Sequence, residues 1–167
     1  MRCGTGRLEA GAMIYIGVIP RQVGAIAALR EDGTIARVER FGDTETLGRA
    51  ALVIGDFVEA LETDEPLAAT VSRLDKGNTK FDGARVYGEC LGGLMLTKCR
   101  VFAIKPADWL HGLALPKRHF TLNHKHALRD AAQEKWKREV LLCEADALWV
   151  AEWGRLHGPW SPSMRAK

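Results

Sequence analysis

The most concentrated chemical feature of the sequence is a basic segment between residues 117 and 138. Its bases are Lys117, Arg118, Lys125, Arg129, Lys135, Lys137 and Arg138. Three histidines and Trp136 are interleaved with them, and this composition is typical of a surface that follows a nucleic-acid backbone. A solvated helix face has a similar composition. If the segment binds nucleic acid, each phosphate contact is expected to add about one unit of salt dependence.

The charge of the whole chain is small, but it is unevenly distributed. The sequence has 24 lysines and arginines against 21 aspartates and glutamates, a formal net charge of +3. The stretch from Glu31 to Glu65 holds ten acids and three bases, whereas the stretch from Lys98 to Arg138 holds ten bases and three acids. The second stretch is therefore predicted to form an anion-binding face. The net charge of the whole chain is too small to indicate a nucleic-acid partner by itself.

Other kinds of chemistry are weakly represented. His124 and His126 are two residues apart, and on a helix this spacing directs the rings away from each other, which argues against a zinc pair. The cysteines are Cys3, Cys90, Cys99 and Cys143, with no C-x-x-C pair. Scattered thiols of this kind are typical of reduced proteins and predict a cytoplasmic location. There is no Ser-His-Asp order, phosphate-cradling loop or dinucleotide fingerprint.

Length and composition predict one domain. With 167 residues, 18.4 kDa and 47% apolar residues, the chain can bury a single core. No apolar run approaches the roughly 20 residues that span a bilayer, so no membrane partner is expected. We predict a flexible N-terminal tail at 1–12, one domain at 13–157 and a C-terminal tail at 158–167.

The apolar patterning predicts an α/β domain with a mixed sheet. Strands are predicted at 13–18, 24–29, 34–40, 67–74 and 100–104, and helices at 44–61, 87–98, 121–137 and 141–156. Thr44 is the predicted N-cap of the first helix, and Asp32-Gly33 predicts a two-residue hairpin turn. Residues 75–83 and 108–119 are predicted to be irregular. Gly88, Gly92 and Gly93 indicate close backbone packing, and Ala127, Leu128, Ala131 and Trp136 are predicted to face inward.

Four segments in chain order resemble the RuvC-like Holliday-junction resolvases, a branch of the ribonuclease-H-like superfamily with many phage members. They are Tyr15–Ala27 (YIGVIPRQVGAIA), Gly83–Leu94 (GARVYG continued by LGGL), Ile104–Trp109 (IKPADW) and Glu144–Ala151 (EADALWVA). The resemblance covers residues 13–154. It implies a ribonuclease-H-like mixed five-stranded sheet flanked by helices, a homodimer that acts on branched DNA, and a carboxylate cluster that binds two Mg²⁺ ions.

The carboxylate cluster is where this sequence departs from the family. Ile19 and Val71 stand at the positions of two family acids, and only Asp146 and its neighbour Glu144 remain. Cys143 replaces an acid that some members carry. Because Mg²⁺ requires near-octahedral oxygen coordination, two acids on one helix make a poor site. We therefore predict no metal and no cofactor.

These substitutions also change the charge of the family's catalytic cleft. Ile19 and Val71 remove negative charge, while Arg21, Arg73 and Lys76 are predicted to contact phosphates directly. The first hypothesis is a nuclease-inactive homodimer that binds branched or double-stranded DNA. The second is an active Mg²⁺-dependent junction endonuclease that uses Asp146, Glu144 and a further acid, for which the candidates are Asp75, Asp43 and Glu89. The third is a protein-interaction or assembly subunit whose contact surface contains Ile19 and Val71.

Overall fold

The computed structural model describes residues 12–42, 49–73, 81–115 and 122–165. Its strands are β1 (Ile14–Ile19), β2 (Gly24–Leu29), β3 (Ile35–Phe41), β4 (Leu67–Ser72) and β5 (Arg100–Ile104). Its helices are α1 (Ala50–Glu59), α2 (Phe81–Leu96), α3 (Pro106–Gly112), α4 (Leu122–Trp136), α5 (Leu142–His157) and α6 (Pro162–Arg165). Within these ranges, none of the helices has the length and apolar character of a membrane span.

The strands form one mixed sheet in the order β3-β2-β1-β4-β5. Strands β1, β2 and β3 pair antiparallel, whereas β4 pairs parallel with both β1 and β5. The predicted α/β architecture with a five-stranded mixed sheet is therefore confirmed. Because β1, β4 and β5 run in the same direction, they end at one side of the sheet, which we call the carboxyl edge.

Helices cover both faces of the sheet, so its central strands are apolar on both sides. Along β1, Ile16 and Val18 pack in the core that includes α1 and α2. Ile19 packs in the other core, which includes α3, α4 and α5. Every residue of β1 and β2 is buried. The strict alternation in β1 means that neighbouring side chains belong to different cores.

Helix α5 lies at the centre of the second core and is buried on nearly all sides from Ala145 to Glu152. It crosses β1 at Gly17 in direct backbone contact. A Cβ atom on Gly17 would overlap the carbonyl oxygen of Ala147 and the backbone nitrogen of Ala151. The absence of a side chain at residue 17 therefore allows the helix to lie against the strand.

The turn between β2 and β3 differs from the predicted two-residue hairpin. The Arg30 N–H donates to the Thr34 carbonyl at 2.9 Å, and the Gly33 N–H donates to the Arg30 carbonyl at 2.9 Å. Gly33 has φ of 85°, and the pairing shifts register between Ala28 and Leu29. A left-handed glycine after the turn is typical of a longer hairpin loop with a bulge, and the Asp-Gly pair does not distinguish the two.

Three helix boundaries also differ from the predictions. Helix α1 begins at Ala50 with Arg49 as its N-cap, and the predicted N-cap Thr44 lies outside the described residues. Helix α2 begins at Phe81, inside the predicted loop 75–83. Helix α3 forms where an irregular connection was expected, because Pro106 occupies the first turn, where its fixed φ and missing N–H are tolerated.

Two predicted helix faces are only partly correct. Of the three glycines that were predicted to pack closely in α2, Gly93 does so against Ala51, whereas open space surrounds Gly88 and Gly92. In α4, Leu128 and Ala132 are buried and Ala131 and Trp136 pack at the margin of the core. Ala127, which was predicted to face inward, is exposed.

The residues after α5 belong to the packed structure. The Tyr15 hydroxyl donates to the Trp160 carbonyl at 3.0 Å, and Ser161 is fully buried. The predicted boundary at residue 157 therefore falls inside the fold, because a strand residue is bonded across it. The predicted N-terminal tail lies outside the described residues except for Ala12.

Candidate functional site

The carboxyl edge places Ile19 at the end of β1, but it does not bring Val71 beside it. Val71 pairs with Val18 and packs in the core with α1 and α2, on the opposite face of the sheet. Ser72, one residue later, follows the register onto the face of Ile19 and is buried. The expectation that Ile19 and Val71 share one site is therefore wrong. Neither Ile19 nor Ser72 carries a carboxylate.

Asp146 is the acid that α5 brings to this part of the molecule. It is 6% exposed, and its Oδ2 lies 3.7 Å from Arg21 Nη1. Burial raises the pKa of Asp146 above its ordinary value, while the charges of Arg21, Lys125 and His124 act in the opposite direction. The carboxylate is thus surrounded by cationic or protonatable groups.

The space beside Asp146 is very small. The cavity has a volume of about 10 Å³ and is lined by Arg21, Trp109, His124 and Lys125, among others. Such a volume corresponds to about one water molecule. The buried indole N–H of Trp109 has no hydrogen-bond partner among the described residues, and it is a donor, which does not ligate a cation. The cavity therefore does not fit two hydrated divalent ions.

Glu144 does not join Asp146. Its Oε2 accepts a hydrogen bond of 2.8 Å from the Leu141 N–H at the start of α5, and its Oε1 lies 3.9 Å from Arg40. It acts as a helix cap, because a carboxylate at this position satisfies a free backbone donor. The predicted pair of residual acids does not converge on one point.

In the part of the chain that the structure describes, neither Glu89 nor Cys143 completes a metal site. Glu89 is engaged by Arg85 at 2.9 Å and by the Ala50 N–H at 3.2 Å. Burial raises the pKa of the Cys143 thiol, which favours the neutral form. Asp43 and Asp75 lie outside the described residues. Across the described ranges, no three His, Cys, Asp or Glu side chains are arranged to hold a metal ion, so the described residues do not fit the resolvase metal pair.

Bases occupy the carboxyl edge instead. Arg21 follows β1, Arg73 follows β4 and Lys105 follows β5, so three adjacent parallel strands each lead into a base. Arg73 and Lys105 are exposed, and the Arg21 side chain is 40% exposed. Lys105 was not among the predicted binding residues. Its position directly after a predicted strand could have indicated that it lies at this edge.

The basic segment does not form one continuous free face. Lys76, Lys117 and Arg118 lie outside the described residues. Lys125 lines the cavity beside Asp146, Arg129 is bonded to Asp130 at 2.8 Å, and Lys135 pairs with the buried Glu152 at 2.9 Å. Lys137 and Arg138 are exposed after the end of α4. The predicted band is divided between the two ends of the molecule, since α4 extends from Asp146 to the β2–β3 loop.

The sheet order and the flanking helices define a ribonuclease-H-like fold. The structure of Thermus thermophilus RuvC is similar, with a TM-score of 0.62 and 14% identity over 83% of this chain and 91% of that chain. The structure of T. thermophilus RuvC in complex with a Holliday junction substrate is also similar, with a TM-score of 0.62 and 13% identity over 87% of this chain and 98% of that chain. No family model and no curated protein matches the sequence.

Proposed function

We propose that this protein is a nucleic-acid-binding domain without nuclease activity, built on a resolvase-like scaffold, and that it recognises branched or double-stranded DNA. The observation that carries the proposal is the contact between Arg21 and the buried Asp146 at the carboxyl edge. The one acid that remains at this edge faces a guanidinium group, whereas a two-metal nuclease needs further acids beside it. A phosphate can approach such a site without a metal bridge.

The positions of the three bases at the carboxyl edge support contact with a nucleic-acid backbone. Neighbouring strands are about 4.8 Å apart, so Arg21, Arg73 and Lys105 leave the sheet along an edge about 10 Å long. Arginine binds phosphate through two parallel N–H donors, and lysine through a compact charge. The binding of nucleic acid by this edge is therefore expected to be strong at low salt and weak at high salt.

A synthetic four-way junction tests the proposal directly. We expect the protein to bind the junction in EDTA, to lose affinity as salt rises, and to leave the DNA intact after prolonged incubation with Mg²⁺ or Mn²⁺. Duplex and single-stranded DNA of the same sequence serve as comparisons for structure preference. A metal-dependent nick would overturn the proposal in favour of the endonuclease alternative, and salt-independent failure to bind any of the three would overturn it in favour of a protein-interaction role.

Neutralising two edge bases is expected to weaken junction binding. The Arg73→Gln/Lys105→Gln variant should lose about tenfold in affinity at moderate salt, because each exposed phosphate contact contributes about 0.7 kcal/mol. The slope of log affinity against log salt should also fall by about two units. Fluorescence anisotropy over a salt series measures both quantities.

The matched control for this variant is Arg100→Gln, since Arg100 is an exposed base at the opposite end of β5. We expect Arg100→Gln to retain the affinity and salt slope of the wild type. If Arg100→Gln, which removes one charge, lost about half as much binding free energy as the double variant, binding would follow overall charge and not the carboxyl edge.

Replacing Asp146 with Asn is expected to strengthen junction binding about threefold, because Arg21 is released from its carboxylate partner. Since burial raises the pKa of Asp146, lowering the pH through that pKa protonates the wild-type carboxyl and should remove the difference between the two proteins. Anisotropy at several pH values measures the effect, with Glu144→Gln as the control that retains wild-type affinity. An Asp146→Asn variant that binds more weakly at every pH would contradict the role given to Arg21.

We also propose that the protein forms a homodimer through the outer face of α1 and α2. These helices pack together, and they leave Leu52, Met95 and Leu96 exposed, the last of them at 84%. Exposed apolar side chains of this size on adjoining helices favour a self-association surface. Sedimentation should show a dimer for the wild type and a monomer for Leu96→Gln; a monomeric wild type at micromolar concentration would refute the dimer.

The contact surface that was predicted for the third alternative is buried. Ile19 and Val71 are 2% and 0% exposed and lie in different cores, so they do not form a shared contact face.

Cys90, Cys99 and Cys143 are free thiols, which supports a location in the reducing cytoplasm.

A further inference from the structure

A basic cleft lies at the opposite end of the sheet from the carboxyl edge. It has a volume of about 560 Å³ and is bounded by the β2–β3 loop on one side and by the end of α4 on the other. Its lining includes Lys135, Trp136, Lys137, Arg138, Glu152 and Arg155. None of the contacts proposed for the carboxyl edge uses these residues.

An ion cluster around the buried Glu152 forms the floor of the cleft. Glu152 is 1% exposed, and it accepts hydrogen bonds of 2.7 and 2.8 Å from Arg155 and a contact of 2.9 Å from Lys135. Burial acts to raise the pKa of Glu152, but the hydrogen bonds and charges of Arg155 and Lys135 outweigh it and hold that pKa below its ordinary value. One carboxylate therefore faces two cations, and the floor keeps a net positive charge.

The walls of the cleft are held in position by hydrogen bonds from side chains of the two helices to backbone carbonyls of the β2–β3 loop. Arg155 Nη1 donates to the Glu31 carbonyl at 3.1 Å, and Trp136 Nε1 donates to the Gly33 carbonyl at 3.0 Å. Lys135 Nζ lies 5.4 Å from the centroid of the Trp136 ring. These contacts tie the loop and two helices together, so the floor and one aromatic wall are in place before a ligand arrives.

Two further bases of the cleft take no part in the contacts described above. Lys137 and Arg138 line the cleft, are exposed, and form no ion pair with any residue in the described ranges. Asp32 is the other acid in the lining, and its carboxylate already accepts hydrogen bonds from the Thr34 N–H and hydroxyl at 2.8 and 2.7 Å. The cleft therefore has four bases against two acids that are engaged by neighbouring donors.

We propose that this cleft is a second anion site, which binds a phosphate group through Lys137 and Arg138 above the Lys135–Glu152–Arg155 floor. Exposed guanidinium and ammonium groups supply charge-assisted donors for phosphate oxygens. The half-buried ring of Trp136 offers a flat wall for a nucleoside attached to that phosphate. The proposal does not depend on the function assigned to the carboxyl edge.

Nuclear magnetic resonance of the full chain labelled at its tryptophan indoles tests the site. The Trp136 indole N–H lies in the cleft, and its resonance is assigned from its loss in Trp136→Phe. The probes are inorganic pyrophosphate, AMP, adenosine and a short blunt DNA duplex. We expect the phosphate-bearing probes to shift this resonance, adenosine to leave it unmoved, and Lys137→Gln/Arg138→Gln to bind at least about tenfold more weakly.

The probes distinguish a small phosphorylated ligand from a nucleic-acid backbone. The variants distinguish binding at this cleft from binding at the carboxyl edge. A saturable response to pyrophosphate and AMP supports a small phosphorylated ligand, and a response to the duplex at lower concentration supports a nucleic-acid backbone. The Arg73→Gln/Lys105→Gln variant should keep the wild-type response to AMP even if its junction binding is lost, and Lys98→Gln serves as the exposed-base control. The proposal is overturned if no phosphate-bearing probe shifts the resonance, if adenosine shifts it equally, or if Lys137→Gln/Arg138→Gln responds like the wild type.

Discussion

The Gly17→Ala variant is expected to lose about 3 kcal/mol or more of folding free energy. The added methyl group would overlap the carbonyl oxygen of Ala147 and the backbone nitrogen of Ala151. These are main-chain atoms of a buried helix, so they cannot rotate away as a flexible side chain would. Relief requires α5 to move off β1, which separates the layers of the second core. Urea unfolding followed by circular dichroism measures the loss.

Gly55→Ala provides the control for this prediction, because it makes the same chemical change in the middle of α1. A Cβ atom on Gly55 meets nothing within 4 Å. Alanine is favoured over glycine in a helix, so Gly55→Ala should gain about 0.5–1 kcal/mol. The two substitutions therefore have opposite expected signs. A Gly17→Ala protein as stable as the wild type would show that α5 does not lie directly on β1.

Replacing Glu152 with Gln is expected to cost about 3 kcal/mol, since it leaves two cations beside each other without their shared carboxylate. The Glu152 side chain is 1% exposed, and those of Arg155 and Lys135 are 18% and 39% exposed. The Lys135 end is therefore the weaker part of the cluster, because water screens it. Chemical unfolding at neutral pH measures the loss. Glu39→Gln is the control, because it removes an exposed carboxylate that is paired with Arg37 at 3.0 Å, and its cost should be below about 1 kcal/mol.

The pH dependence of the Glu152→Gln effect follows from the direction of the pKa shift. The pKa of Glu152 is lower in the folded protein than in the unfolded chain. Its ionised form therefore stabilises the fold above the unfolded pKa, and this contribution is lost as the pH falls through the folded pKa. The difference in the free energy of unfolding between wild type and variant should be largest near neutral pH and should disappear in acid. A gap that stays constant down to strongly acidic pH would rule out an electrostatic origin.

The sheet was largely predictable because its signals are local. The run of apolar residues in β1 and in β2 is continuous, as expected for strands covered on both faces, and the polar interruptions of β3 mark it as an edge. Helix α3 was not predictable from periodicity, since it has only seven residues, of which Pro106 and Trp109 are buried. Turn details were equally inaccessible, because Asp32-Gly33 fits both the expected hairpin and the longer loop.

The site was less predictable because it depends on register and on packing between distant residues. Successive strand residues face opposite sides, so the register of β4 places Val71 in the other core from Ile19, and Ser72 is the residue on the face of Ile19. The pairing of Lys135 with Glu152 depends on how α4 crosses α5, and no short-range pattern in the sequence encodes it. Arg21, by contrast, was correctly placed at the end of β1, because a strong strand precedes it.

The central position of α5 has a consequence for how the protein is made. All five strands precede α5 in the chain, so a ribosome releases the whole sheet before it releases the helix that covers Ile19 and Leu29. A nascent chain that has not reached His157 exposes one apolar face of the sheet to the cell. Newly made copies should therefore engage holding chaperones until translation passes α5, and fragments that stop short of it should aggregate when overproduced.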